Sequence, residues 1–403
     1  DDYFIPKTLR LDFIQAGDAK TSTFFFEQMK CEPYWGGNVK NLIDKFNFGE
    51  YRFFVYDSSS QKLIYSRGFS TLFQEWQTSD EAKALTRSFY ETIIFPFPKK
   101  NVKVEIHKRN RDGNLEKKYE LFINPKDYFI REEAPPKFEY KKVLDNGNPN
   151  SKVDIVIIPD GYAKEDMEKF NSDVLRFMGY FFACSPYKEN KNNFNIWAIN
   201  AISQESGTDI PGKLIYKNTV LSASFYTFNT ERYLMTYDIK SVRDIAGMVP
   251  YDQIMILVNS PIYGGGGVYN YYSITSSDDD YADYVVCHEF GHAFGDLADE
   301  YWTSDVAVTD YFNLNVEPVQ PNITTLVNFE SKWKNLLDKN IPIPTPNEKK
   351  YYEKVGAFEG GGYVEKGIYR PMFDCTMKSR SRDNFCPVCK NSLSEMIKFY
   401  CDK

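Results

Sequence analysis

This sequence of 403 residues lacks long apolar runs and lacks an excess of basic residues. No stretch approaches the ~20 consecutive apolar residues that a membrane-spanning helix needs, so we predict no transmembrane segment. Lys and Arg number 49 against 56 Asp and Glu, and the net charge is −7. Because nucleic acids and anionic membranes attract basic surfaces, this balance argues against either of them as the main partner.

Cysteine and histidine are also few, with seven and three residues. An odd number of cysteines excludes complete pairing within the chain. In an exported protein, the plainest pairing for Cys375 is a disulfide with Cys386 or Cys389, and Cys401 is near enough in sequence to take part. The chain begins with aspartate and not with methionine, which is compatible with a removed export signal or with a cloning boundary.

Aromatic residues are abundant, with 30 Tyr and 32 Phe, and the chain is long enough for two domains. Short alternating or aromatic-rich runs predict strands at residues 9–15, 22–30, 51–57, 62–69, 89–97, 102–108 and 119–123. A polar segment at 58–61 and the pair Asp112-Gly113 have the composition of hairpin turns. We therefore predict an all-β sandwich domain over residues 1–134. His107 falls in one of these strands and is expected to be an ordinary strand or surface histidine.

The composition changes at residues 135–151, which are rich in turn formers and poor in aliphatic residues. We predict that this segment is a linker and that residues 152–403 form an α/β catalytic domain. Within it, the pattern predicts a strand, a helix and two further strands at residues 153–158, 164–182, 194–201 and 254–258. Four glycines at 264–267 follow the last strand and are expected to form a flexible loop with an exposed backbone.

The segment with the clearest chemistry holds His288 and His292, with Glu289 after the first histidine. On a helix, residues four apart lie on one face, so both imidazoles can bind one ion. The spacing is typical of zinc peptidases, in which the glutamate is the general base toward a water at the open zinc position. In a chain with three histidines, its chance occurrence has a probability on the order of 0.001. We therefore predict one catalytic Zn²⁺ on a buried helix.

A zinc site of this kind needs a third protein ligand, and no further histidine lies near the pair. Gly295 stands where the helix could end, so that a later acidic side chain could return to the ion. Asp299 is the predicted third ligand and Glu300 is the alternative. Asp296 follows the glycine too closely to be favoured.

The pattern His-Glu-x-x-His-x-x-Gly opens the signature of the metzincin peptidases. The longer run from His288 to Tyr301 resembles the secreted bacterial immunoglobulin-A peptidase family, as do Val153 to Tyr162 and Glu205 to Pro211. The resemblance spans Val153 to Cys389, and this family usually carries an N-terminal β domain. Ala298 stands where other metzincins have their third histidine, and the acid follows one residue later.

The resemblance implies a metzincin-like catalytic domain with a methionine in a tight turn beneath the metal. Met377 is the expected residue and Met372 the alternative, and a disulfide in that region would anchor the turn. The tyrosine that follows this turn in some relatives is absent here. A phenol that assists the oxyanion would therefore come from elsewhere, with the candidates Tyr263, Tyr269 and Tyr369.

The leading hypothesis is a bacterial zinc endopeptidase that is secreted, periplasmic or on the cell surface. The strand near residues 258–267 would pair with extended protein or peptide substrates, host glycoproteins included. Two alternatives stay open: a surface protein that uses a peptidase fold for adhesion or glycan binding, and a zinc hydrolase of esters or glycans. The acidic run at 276–280 could also bind Ca²⁺, although a solvated loop is the plainer interpretation.

Overall fold

Alternating side chains in the N-terminal third form strands close to the predicted positions. The structure is a computed structural model that describes residues 2–302, 311–380 and 384–402. The strands of this part are β1 (Phe4–Gly17), β2 (Ser22–Glu32), β3 (Tyr51–Asp57), β4 (Leu63–Phe69), β5 (Arg87–Pro98), β6 (Val102–Arg109), β7 (Leu115–Ile123) and β8 (Ile130–Arg131). They form two four-stranded sheets, ordered β5-β1-β2-β8 and β4-β3-β6-β7. Both predicted hairpins are present, because β3 pairs with β4 and β6 with β7 in antiparallel register.

The two sheets share one hydrophobic core, because alternate residues of a strand point to the same side. Leu9, Leu11 and Phe13 of β1 lie in this core with Phe53 and Val55 of β3, all at most 3% exposed. The prediction of a mainly β N-terminal domain is therefore confirmed. Two short helices that were not predicted lie between β4 and β5: α1 (Leu72–Gln77) and α2 (Asp80–Ala84).

A mixed six-stranded sheet forms the centre of the C-terminal part. Its strands are β9 (Tyr140–Leu144), β10 (Val153–Asp160), β11 (Phe194–Ile199), β12 (Gln253–Val258), β13 (Gly265–Val268) and β14 (Tyr272–Ser276). The order is β13-β14-β12-β10-β11-β9, and the two edge strands run antiparallel to their neighbours while the four central strands are parallel. The remaining elements are α3 (Met167–Phe181), α4 (Ile239–Ala246), α5 (Ala282–Gly295), β15 (Phe358–Gly361), β16 (Val364–Arg370) and α6 (Pro387–Cys401). Among the helices described, none has the length and apolar character that crossing a bilayer requires.

Strand β10 shows why helices cover both faces of this sheet. Every residue of β10 is buried, as expected for a central parallel strand. Ile155 and Ile157 join the core that contains residues of α3, α5 and α6. Val156 and Ile158 point to the other face and join the core that contains residues of α4. The predicted α/β class of the C-terminal part is therefore confirmed.

Three segments differ in detail from the sequence-based expectation. The predicted linker at 135–151 contains β9, which pairs with β11, so the C-terminal sheet begins inside that segment. The predicted helix at 164–182 opens with a 3₁₀ turn, Lys164–Asp166, before α3. The expectation of a flexible glycine loop is wrong, because residues 265–268 form β13. A Cβ atom at Gly267 would lie 2.1 Å from the backbone oxygen of Glu289, so glycine is what lets this strand pack against α5.

A buried arginine joins the two parts of the chain. Arg10 of β1 is fully buried, and its guanidinium lies 2.7 Å from Asp12 and 2.8 Å from Asp244 of α4. Glu32 of β2 lies 3.4 Å from the same group. A buried charge is tolerated only with such partners, so this network fixes the β domain against α4.

Candidate active site

The histidine pair lies on α5, a helix that is buried along most of its length. Val285 and Phe290 are at most 2% exposed, which explains the apolar residues around the polar motif. The helix packs against β13, β14, α3 and α6. It ends at Gly295, as expected, and Asp296 takes a left-handed conformation with φ 49°. The Asp296 N–H donates to the His292 carbonyl oxygen at 3.1 Å, so the chain turns back at this point.

After this turn, Asp299 lies beside both histidines. His288 Nε2 is 3.2 Å from His292 Nε2 and 3.0 Å from Asp299 Oδ1. His292 Nε2 is 3.4 Å from the same oxygen. The Nδ1 atoms face carbonyl oxygens, that of Thr376 at 3.0 Å from His288 and that of Leu297 at 2.5 Å from His292. Since a carbonyl only accepts, each Nδ1 carries the proton and each Nε2 presents a lone pair.

With both rings in this neutral form, three acceptor atoms converge on one point with no hydrogen atom among them. Asp299 Oδ1 is buried and accepts no hydrogen bond from the residues described. This arrangement is unfavourable unless a cation lies at its centre. In a tetrahedral zinc site with metal–ligand bonds of about 2.0–2.1 Å, ligand atoms lie roughly 3.3 Å apart. The separations of 3.0, 3.2 and 3.4 Å fit that coordination.

The electrostatics of the site also favour positive charge. Burial lowers the pKa of both imidazoles, but Asp299 and Glu289 outweigh it and raise the pKa of His292 to about 9. The pKa of His288 is raised for the same reasons. Burial opposes ionisation of Asp299, yet the two histidines hold the pKa of its carboxyl well below its usual range. The carboxylate therefore stays ionised between the two rings.

Glu300, the alternative ligand, points away from the histidines. Its Oε1 accepts a hydrogen bond from Asn322 Nδ2 at 3.0 Å and lies 3.3 Å from Cys389 Sγ. Asp296 is also turned elsewhere, since its Oδ2 accepts the N–H of Gly49 in the β domain at 2.9 Å. Of the three acidic candidates, the structure places only Asp299 beside the histidines.

The turn at Met377 packs against the histidine helix. Met377 is fully buried, and a Cβ atom at Gly291 would lie 3.0 Å from its Sδ. The Met377 carbonyl accepts the N–H of Glu300 at 2.8 Å, while the neighbouring Thr376 carbonyl accepts from His288. The turn therefore holds both the first histidine and the segment that follows the helix.

The other residues singled out from the sequence have different positions. Tyr263 and Tyr269 line the cavity beside the histidines. The Tyr369 hydroxyl lies 3.5 Å from Glu359, in the hairpin of β15 and β16, and it does not belong to that lining. Met372 is buried in the same hydrophobic core as the histidine helix.

The expected disulfide near the methionine turn is not present. All seven cysteines are unpaired, so the expected disulfide is wrong. The Sγ atoms of Cys375 and Cys389 are 3.8 Å apart, against about 2.05 Å in a disulfide. The possible Ca²⁺ site in the acidic run stays a prediction, although Asp278 of that run lies 2.8 Å from Lys169 and 3.4 Å from Arg176. These two cations already balance its charge.

Glu289 faces a cavity of about 740 Å³ that also reaches both histidines. Its carboxylate lies within 4.8 Å of the ligand atoms of His288 and His292. Burial raises the pKa of Glu289, although the two histidines oppose that shift. A cavity of this size can enclose several side chains of a ligand. Its described lining includes eight tyrosines, which are Tyr233, Tyr263, Tyr269, Tyr281, Tyr284, Tyr301, Tyr311 and Tyr363.

Comparison with known families agrees with this geometry. The family described as IgA Peptidase M64 matches residues 142–355 and 347–397, and the Peptidase M64 N-terminus matches residues 1–120. The chain belongs to the IgA Peptidase M64 family. The resemblance seen in the sequence is therefore confirmed, and the protein is a peptidase of a metallopeptidase family that acts on protein or peptide. No curated protein matches the sequence.

Residues far apart in sequence complete the site of this IgA Peptidase M64 member. The Tyr363 hydroxyl donates to Asp299 Oδ2 at 2.6 Å. Glu75, on α1 of the β domain, lines the same cavity and accepts a hydrogen bond from the Tyr233 hydroxyl. Burial raises the pKa of Glu75 to about 7. No motif spacing links these residues to the histidines, so sequence reasoning missed them.

Proposed function

We propose that this chain is an exported, zinc-dependent endopeptidase in which Glu289 is the general base. One observation carries the proposal: the Nε2 atoms of His288 and His292 and Oδ1 of Asp299 converge at the spacing of zinc ligands beside Glu289. When bound there, zinc would act as a Lewis acid that polarises the scissile carbonyl and acidifies water. Support for a metzincin-like domain comes from the buried methionine turn beneath the histidine helix.

Each protein group has a definable task in this mechanism. Glu289 takes a proton from the attacking water and later returns it to the leaving amine, and its raised pKa suits both steps. The carbonyls of Thr376 and Leu297 hold the imidazoles in the tautomer that leaves Nε2 free. Tyr263 and Tyr269, which both line the cavity, stay the candidates for a phenol that assists the oxyanion.

Strand β13 supports the expectation that substrate binds as an added strand. It lies at the edge of the sheet and contributes Gly265, Gly266 and Gly267 to the cavity lining. Backbone without side chains lets another chain approach closely. The Leu234 N–H approaches the Gly265 oxygen at 3.4 Å, and Tyr233 and Met235 pack on Gly266. We therefore expect substrate to pair along the edge of β13 beyond Gly266, beside Gly267. A location outside the cytoplasm is supported by the resemblance to secreted peptidases.

The test is digestion of a complex protein mixture, with new termini mapped by mass spectrometry. We expect wild-type protein to create new termini, a chelator to suppress them and zinc to restore them. Glu289→Gln should still bind zinc but cleave at least roughly 100-fold more slowly, because it removes the base. Asp283→Asn is the matched control, since Asp283 is an exposed carboxylate on the same helix, near Arg380.

Retained turnover in Glu289→Gln would refute the mechanism. Glu75→Gln identifies which cavity carboxyl acts as the base, because a selective loss in that variant would transfer the role to Glu75. Zinc binding by the wild type without any peptide cleavage would favour the two alternatives, a binding protein or a hydrolase of other bonds.

A further inference from the structure

Three cysteines and one glutamate form a second buried cluster, separate from the histidines. The Sγ atoms of Cys375, Cys386 and Cys389 and a carboxylate oxygen of Glu300 all lie within 4.8 Å of one another. None of the four residues is more than 4% exposed. They come from the methionine turn, the first turn of α6 and the segment after α5, so the fold brings together three distant pieces of chain.

We propose that this cluster is a structural zinc site with three thiolate ligands and one carboxylate ligand. The Cys375 and Cys389 sulfurs are 3.8 Å apart, and Cys389 Sγ is 3.3 Å from Glu300 Oε1. With Zn–S bonds of about 2.3 Å and Zn–O bonds of about 2.0 Å, tetrahedral geometry places two sulfurs roughly 3.8 Å apart and a sulfur and an oxygen roughly 3.5 Å apart. Cysteine and glutamate are both ordinary zinc ligands, and structural zinc is bound by four of them.

Glu300 provides an independent indication of a bound cation. Its Oε1 accepts from Asn322, but its Oε2 is buried and has no hydrogen-bond partner among the residues described. A buried carboxylate oxygen without a donor is costly, and an ion held by both oxygens of this carboxylate would satisfy it. A disulfide would not satisfy this oxygen. It would join two of the three sulfurs and leave both the third cysteine and the Glu300 oxygen without a partner.

Backbone N–H groups donate to two of the three sulfurs. The N–H of Cys386 donates to Cys375 Sγ at 3.2 Å, and the N–H of Cys389 donates to Cys386 Sγ at 3.5 Å. Cys386 is also the N-cap of α6, so the positive end of that helix faces the cluster. Such outer contacts commonly orient and stabilise metal ligands. Arg370 and Lys378 interact electrostatically with Glu300 and reduce the remaining negative charge.

The position of the cluster indicates what the ion would do. Cys375 precedes Thr376, whose carbonyl holds His288, and Glu300 follows Asp299. An ion bound to Cys375 and Glu300 would therefore fix both pieces of backbone that position the histidine site. The ion would hold the histidine site in position and would not contact substrate, because none of its ligands belongs to the described lining of the cavity.

Cobalt substitution and metal analysis test this site directly. Protein loaded with Zn²⁺ and dialysed should contain two ions per chain, and His288→Ala/His292→Ala should retain one. Protein loaded with Co²⁺ should show a thiolate-to-cobalt charge-transfer band in the near ultraviolet, and the band should persist in His288→Ala/His292→Ala. Cys375→Ser/Cys389→Ser should lose the band and one ion. Cys401→Ser is the matched control, since this cysteine lies at the other end of α6, and it should keep both ions.

The absence of a charge-transfer band in wild-type protein would overturn the inference. It would also fall if peptide mapping of wild-type protein under non-reducing conditions showed a disulfide among Cys375, Cys386 and Cys389, because such a bond would consume two of the ligands. Both measurements use wild-type protein, so they test the proposed zinc site even if Cys375→Ser/Cys389→Ser does not fold. One ion per chain together with the band would support this site and refute the proposed histidine site.

Discussion

The Tyr363 hydroxyl offers a direct test of how the proposed third ligand is held. Tyr363 lies in the turn between β15 and β16 with φ 70°, a left-handed conformation that is rare for tyrosine. The N–H groups of Gly362 and Tyr363 donate to the carbonyls of Asp299 at 2.8 Å and Tyr301 at 3.1 Å. The hydroxyl then donates to Asp299 Oδ2 at 2.6 Å. Tyr363→Phe removes this last bond and leaves the two backbone bonds in place.

We expect zinc affinity at the histidine site to fall roughly 10- to 100-fold in Tyr363→Phe, or about 1.4–2.7 kcal/mol. A hydrogen bond to a buried carboxylate contributes about 1.5–3 kcal/mol, which gives the same range independently. The bond matters because it orients Oδ1 of Asp299 toward the two Nε2 atoms. Titrating zinc into metal-free protein while following peptide cleavage reports the affinity of the catalytic ion alone.

Tyr369→Phe is the matched control, because it removes a tyrosine hydroxyl from the same hairpin but outside the cavity. Its hydroxyl lies 3.5 Å from Glu359. This variant should need the same zinc concentration as the wild type for half-maximal cleavage. An unchanged zinc requirement in Tyr363→Phe would refute the idea that the hydroxyl holds a metal-binding Asp299. Equal losses in both variants would point to damage of the hairpin instead.

Two further predictions concern stability. Arg10→Met should lower the free energy of unfolding by about 3–5 kcal/mol, because it leaves buried carboxylates unpaired. In urea unfolding, the half-exposed control Lys7→Met should lose less than about 1 kcal/mol, and an equally small loss at Arg10 would contradict the reasoning. Burial raises the pKa of Glu91 from 4.5 to about 8, so between these pH values the folded state binds one more proton than the unfolded state. The free energy of unfolding should therefore fall as pH rises through that window, by at most about 1.4 kcal/mol per pH unit. Glu91→Gln should remove this component of the pH dependence, and an unchanged slope would count against it.

Local sequence patterns are sufficient to predict those helices and strands whose formation depends on one apolar or polar face of a single segment. The strand β3 alternates buried and half-buried residues, and the spacing of His288 and His292 places both on one face of α5. The glycine run at 264–267 could not be assigned in this way, because glycine has a low strand propensity. It becomes β13 through its pairing with β14 and its close packing on Glu289, and both contacts lie outside the segment itself.

The acidic pair after the helix shows a second limit of sequence reasoning. Asp299 and Glu300 are adjacent and chemically alike, so spacing from His292 cannot separate them. In the fold, the Asp299 carbonyl accepts from Gly362 and the Glu300 N–H donates to Met377, so backbone bonds pin the segment at both residues.

Those bonds send the two side chains in opposite directions, Asp299 toward the histidines and Glu300 toward the cysteines. One peptide unit therefore separates the two clusters. A displacement of the cysteine cluster would reach Asp299 through that unit, and it would reach His288 through Cys375 and Thr376. We therefore expect the geometry of the histidine site to depend on the integrity of the cysteine cluster.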